Sequence, residues 1–343
     1  MRVGAALLEH VRASGLSSVA IVGIAKNVGK TVTMRAIYEA AYEQGVRVGL
    51  VSAGYDGEAI DAVFGNAKPR LLLYPGTWVA TASEFGTPLA LEAVEKERYY
   101  ELLGPPTASA LRAAVHELRR HCDLVLIDGA IDRLAVIATG DDAIVVACGA
   151  AAAPTQEAVL DDVRALVERL RIPRYDEREP ALHIDGALVP EMVDRLVGAR
   201  ERRQIVVTSP AAAVFAGRTA LRALERLRLR CERPVHVVAV TAASIGPEQR
   251  FEPMSFLSAV AEATGLPAYD VYAGASAGPA VSPKARKSGI ELHPGRARIA
   301  AALGREAIES DEFIVMRSQL RAPLPTTVRV VGEAPTYLLC EVK

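Results

Sequence analysis

The stretch Gly23-Ile24-Ala25-Lys26-Asn27-Val28-Gly29-Lys30-Thr31 carries the most chemistry for its length. Two glycines bracket a short loop, and Gly-Lys-Thr closes it. Backbone N–H groups released by such a loop, at the positive end of a helix dipole, suit an anion. Lys30 can reach the terminal phosphates of a nucleotide. The Thr31 hydroxyl can take a place on a Mg²⁺ ion that also bridges phosphates. A second group is the apolar run 122–127 ending in Asp128-Gly129, which would deliver one carboxylate beside that metal. A third is the segment 52–61, where Asp56, Glu58 and Asp61 follow a strand. Asp56 reads there as a metal-shell or water-positioning residue, or as part of an acidic solvated turn. Asp132 and Arg133 read as an ion pair or as groups reaching a substrate.

These groups need elements to position them. Val19-Ala20-Ile21-Val22 is short and β-branched, as a buried strand should be. Residues 32–44 place Val32, Ala36, Ile37, Ala40 and Ala41 at helical spacing, and Gly45 stops the helix. Residues 47–52 read as a second strand. Strand, loop, helix and strand at this spacing imply a parallel sheet with a right-handed crossover.

Elsewhere, residues 4–13 read as an amphipathic helix, 71–74 and 77–81 as short strands, and 89–103 as a helix broken by Gly104-Pro105-Pro106. Thr107 caps the next helix. Residues 141–149 are a strand and 155–171 a helix, and the charged stretch 171–180 is a linker or surface excursion. The second half restarts at 183–188, where Ile184-Asp185-Gly186-Ala187 matches Ile127-Asp128-Gly129-Ala130 over too short a stretch to make a repeat. This half supplies strand then turn at 204–210, strands at 235–241 and 266–271, and helices at 191–198, 219–230 and 253–264. It has no second phosphate loop. Residues 276–343 differ, with a basic run at 283–287, a helix near 296–303 and three short strands (313–316, 327–331 and 337–342).

The chain has 343 residues, enough for one large or two ordinary domains at about 100–200 residues each. Half the residues are hydrophobic, and the formal charge of -1 argues against a nucleic-acid-coating protein. Cys122, Cys148, Cys231 and Cys340 have no metal-ligand spacing and read as reduced thiols of a cytoplasmic protein. No signal peptide is visible, and the apolar runs are too short for a membrane span.

Five residues separate Gly23 from Gly29, one more than the common G-x-x-x-x-G-K-[S/T] pattern allows. That spacing resembles the loop of the dethiobiotin-synthetase-like (SIMIBI-type) P-loop proteins. Lys26 falls one place from the signature lysine of the deviant Walker A ATPases. The blocks 25–33, 52–58, 68–69, 128–133, 185–188 and 238–241 look like the ATP-binding reactivase subunits of lysine 5,6-aminomutase. This resemblance covers roughly residues 15–272. One departure is Ala242-Ala243, where such relatives favour an Asn, so a base-contact role for this loop does not carry over.

The resemblance implies an α/β fold: a mostly parallel sheet flanked by helices, as a three-layer P-loop NTPase sandwich, with a small C-terminal α+β extension. Residues 1–275 would form the nucleotide-binding domain, with a sub-boundary near 171–182, and 276–343 the extension. It implies slow hydrolysis of ATP with Mg²⁺ in the service of a cobalamin- and pyridoxal-phosphate-dependent aminomutase. Neither nucleic acid nor membrane is expected as a partner, and the assembly is open, a homodimer being one alternative. Lys30, Asp56 and Asp128 would be catalytic. Gly23, Lys26, Asn27, Val28, Gly29, Lys30, Thr31 and Val32 would bind nucleotide, and Thr31, Asp56 and Asp128 the metal. Two rivals share the loop: a dethiobiotin-synthetase-type ligase and a GTP-binding adaptor of molybdopterin cofactor synthesis. The chain lacks the N-K-x-D motif of guanine-specific proteins, which favours ATP.

Overall fold

The computed structural model describes residues 3–52, 71–82, 89–100, 104–105, 107–129, 142–215, 217–279, 312–316, 328–333 and 337–342. The chain opens with α1 (Val3–Ala13), β1 (Ser18–Gly23), α2 (Lys30–Glu43) and β2 (Val48–Ser52). Short strands follow at β3 (Leu71–Leu73), β4 (Trp78–Ala82), β5 (Leu89–Ala93) and β6 (Arg98–Tyr100). Next come α3 (Ala108–Leu118), β7 (Leu124–Asp128), β8 (Ala143–Gly149) and α4 (Gln156–Leu170). A further run comprises β9 (Ala181–His183), α5 (Pro190–Gly198), β10 (Gln204–Val207), α6 (Gly217–Arg226) and β11 (Arg228–Cys231). It precedes β12 (His236–Ala243), α7 (Pro253–Thr264), β13 (Ala268–Asp270) and β14 (Ala275–Ala277). Near the C-terminus β15 (Glu312–Met316), β16 (Val328–Glu333) and β17 (Tyr337–Val342) form a separate antiparallel sheet with β17 in the middle.

The fold is α/β, built on a nine-stranded sheet in the order β14-β13-β12-β8-β1-β7-β2-β4-β5. Pairing is parallel from β13 to β4, and only the two edge strands, β14 and β5, run antiparallel. The central strands are continuous apolar runs because both faces are covered. Successive side chains point to opposite faces. Val19 and Ile21 of β1 enter one core with Leu7, Met34, Ile37 and Tyr38 from α1 and α2. Ala20 and Val22 enter another with Leu111, Val163 and Phe256 from α3, α4 and α7. Helices therefore cover both faces of the sheet.

After α4 the chain leaves this sheet and builds a smaller parallel one, β11-β10-β9, whose own core includes Leu188, Val193, Ile205 and Leu229. It then returns as β12 beside β8. Within 171–180, residues 173–175 lie beside the end of β11: Arg174 pairs with Cys231, whose N–H donates to the Pro173 carbonyl at 2.9 Å.

Two sequence expectations are corrected. Residues 89–103 are not a helix where described: Leu89–Ala93 pairs antiparallel with β4, Trp78 opposite Ala93 and Ala82 opposite Leu89, and Arg98–Tyr100 pairs with β3. The Leu- and Glu-rich composition favours helix locally, but Leu89, Leu91 and Ala93 also alternate with period two, and pairing to β4 decides. The helix expected over 219–230 ends at Arg226. Beyond it Leu229 and Cys231 are buried on alternate positions of β11. The helix expected near 296–303 lies outside the described residues.

Candidate functional site

β1 occupies the middle of the sheet, between β8 and β7, and the loop leaves it at its carboxyl end. Both neighbours hold its carboxyl end: Gly129 N donates to the Ile21 carbonyl and Ile24 N to the Ala147 carbonyl, each at 3.1 Å. In open α/β sheets, the carboxyl ends of the strands are where ligands bind.

The loop 24–29 turns on two residues in the left-handed region, Asn27 (φ 58°) and Gly29 (φ 90°). Gly29 is the cap residue of α2 and offers that helix no side-chain oxygen, and the first turn carries no acidic residue. By contrast, Thr107, Thr155 and Glu252 cap α3, α4 and α7 with their own side chains. The start of α2 is thus shaped for an anion from elsewhere. Its position is pinned by Thr33, which bonds through its buried hydroxyl to that of Thr241 on β12 at 2.8 Å.

Lys30 lies along the inside of the loop, its Nζ donating to the Ala25 carbonyl at 3.0 Å. The glycine at 23 makes this path available. A Cβ there would come within 2.9 Å of Val28 Cγ2 and 3.0 Å of Lys30 Cδ. Val28 is buried, so its contribution to a ligand is confined to its backbone. Lys26 is exposed, while Asn27, Thr31 and Val32 are half-buried.

Asp128 ends β7, the strand directly beside β1, in register with Ile21 on one side and Ser52 of β2 on the other. It is half-buried. One carboxylate, a threonine hydroxyl and phosphate oxygens are the donor set that Mg²⁺ takes in such sites. Among the described residues no group of three or more His, Cys, Asp or Glu is placed to hold a metal by itself. Asp56, Asp132 and Arg133 lie outside the described residues.

The opposite flank of the loop is made of β8 and β12, whose exits are small and tightly packed. Ala150 N donates to the Ala243 carbonyl at 2.9 Å, and a Cβ on Gly149 would stand 2.9 Å from that same oxygen. Tyr272, two residues beyond β13, reaches across these exits. Its Cε2 and Oη lie 3.5 and 3.7 Å from the position a Cβ on Gly29 would take. Sequence reading passed over Tyr272, although its place just after a strand of a parallel sheet was a usable signal.

Cys122, Cys148 and Cys231 are buried, and loss of solvation pushes their thiols up to about 12, 12 and 11. No helix among the described residues is long and apolar enough to cross a membrane. Comparison with family models, with curated proteins and with solved structures finds no match for this chain.

Proposed function

We propose that the chain is a P-loop nucleoside triphosphatase that binds ATP with Mg²⁺ at residues 23–32 and hydrolyses it slowly. The observation that carries this reading is the adjacency of two features: an uncapped helix start bearing Lys30 and Thr31 at the end of β1, and Asp128 at the end of the neighbouring strand. Loop N–H groups and Lys30 neutralise the β- and γ-phosphates. The Lys30 ammonium, folded onto Ala25 O, moves to the phosphates when they enter. Thr31 and Asp128 are the described residues that would hold Mg²⁺, which supplies charge neutralisation on the transferring phosphoryl group. Asp56 is assigned to the metal or the attacking water.

The energy of hydrolysis is assigned to a conformational change that serves a cobalamin- and pyridoxal-phosphate-dependent aminomutase, the role implied by resemblance to the reactivase subunits.

Titration calorimetry with ATP and Mg²⁺ tests the site. Lys30→Ala should weaken binding by about a hundredfold or more, the scale of losing a charge-assisted contact to phosphate. Unchanged affinity would sink the assignment. The accessory role is tested separately, by pull-down from the source cells and by adding the aminomutase to the ATPase assay. Co-purification and faster turnover are expected, and absence of both overturns that role.

A further inference from the structure

We infer that Tyr272 is the platform on which the purine base of the bound nucleotide lies, an inference that rests on reading residues 23–32 as the triphosphate site. Tyr272, in the turn that follows β13, is 49 % exposed. Large apolar side chains left open on a folded surface point to an interaction when they gather beside a ligand site. Here they do. Ile245, 39 % exposed, follows β12 just as Tyr272 follows the adjacent β13, and both exits open on the edge of the sheet from which the loop leaves.

The backbone at Tyr272 is held by a turn. Buried Asp270 accepts from both Tyr272 N and Ala273 N at 2.8 Å, and its carbonyl accepts from Gly274 N at 2.9 Å. This turn fixes where residue 272 leaves the sheet. Among the described residues, the exits of β12 and β8 stand between the turn and the loop, and Ala243 and Gly149 keep side-chain bulk there to a minimum. The Cβ of Ala243 is 3.8 Å from the point a Gly29 Cβ would occupy, so ring, Ala243 and the start of α2 lie close together. A triphosphate on the α2 N-terminus must extend its nucleoside to one side. The β7 side carries the Asp128 carboxylate, whereas the β12–β13 side offers an aromatic face, on which a base stacks for about 1–3 kcal/mol.

The test separates the base from the phosphates. Titration calorimetry is run on the full chain with ATP and with inorganic tripolyphosphate, each with Mg²⁺. Tyr272→Ala should weaken ATP about tenfold while leaving tripolyphosphate binding unchanged, which also shows that the variant is folded. Tyr272→Phe should bind ATP as the parent does, since the ring face is kept. ATP binding unaffected by Tyr272→Ala overturns the inference and leaves the phosphate site standing. Equal weakening of both ligands overturns it as well, because the ring would then support the loop rather than the base. Failure of the parent chain to bind either ligand overturns the phosphate-site reading and this inference with it.

Discussion

The two flanks of β1 are built on different principles. On the β7–β2 side the strand ends are polar: Asp128 and Ser52 stand side by side in register, and both are half-buried. On the β8–β12 side the ends are Gly149 and Ala243, with backbones so close that one has no room for a side chain. The first flank leaves a carboxylate beside the strand that carries the loop, where the proposed site would take its metal. The second gives that up for a close, apolar approach and lets a ring from the turn after β13 lie against the loop. One loop between unlike walls is suited to a ligand that is itself asymmetric, with charge at one end and a flat apolar face at the other.

Substitutions can break this contrast. The largest effect is expected from Asp128→Asn, which keeps the shape of the polar wall but removes its charge. Steady-state ATP hydrolysis should fall about a hundredfold, the scale of losing part of the metal's charge stabilisation, while ATP affinity without Mg²⁺ stays unchanged. Hydrolysis at the parent rate would mean that Asp128 has no part in the reaction. On the apolar wall, Gly149→Val should be a structural lesion. Its side chain meets the Ala243 backbone oxygen, and urea unfolding should report a loss of about 1–3 kcal/mol. A variant as stable as the parent would show that the two exits are not tightly packed.

The smallest effect concerns the support beneath β13. His10 Nε2 and the Tyr269 hydroxyl are 2.6 Å apart, and burial lowers the His10 pKa below its ordinary value of 6.5. Below pH 6.5 the unfolded chain takes up this proton more readily than the folded one. Stability should therefore decline as pH falls from 6.5 toward the folded pKa. The ring is only half-buried, so solvent screening holds the effect under about 0.5 kcal/mol. Urea midpoints at pH 7.5 and 5.5 should differ less in His10→Gln than in the parent, and an equal difference in both would remove His10 from the account.

Where local chemistry was decisive, the elements were readable in advance. Thr155 and the stop after Leu170 bound α4, and residues 253–264 are helical as expected. Residues 89–93 went the other way. Leu89-Ala90-Leu91-Glu92-Ala93 satisfies a helix by composition and a strand by alternation, and only β4, contributed from elsewhere in the chain, chooses between them. The same holds for Arg228–Cys231, which becomes a strand because β10 is there to receive it.

By itself the sequence determined the pieces of the candidate site: a glycine-bounded loop opening a helix at Lys30, and an apolar strand ending in Asp128. Each depends on φ preferences, capping and hydrophobic runs that act within about ten residues. Tertiary structure decided their neighbours. The order β8-β1-β7 sets Asp128 beside the loop, and the order β13-β12-β8 sends Tyr272 to it from three strands away. Strand order follows from how two helical layers bury both faces of one sheet. That condition is satisfied by contacts between residues distant in the chain, and no local pattern encodes it.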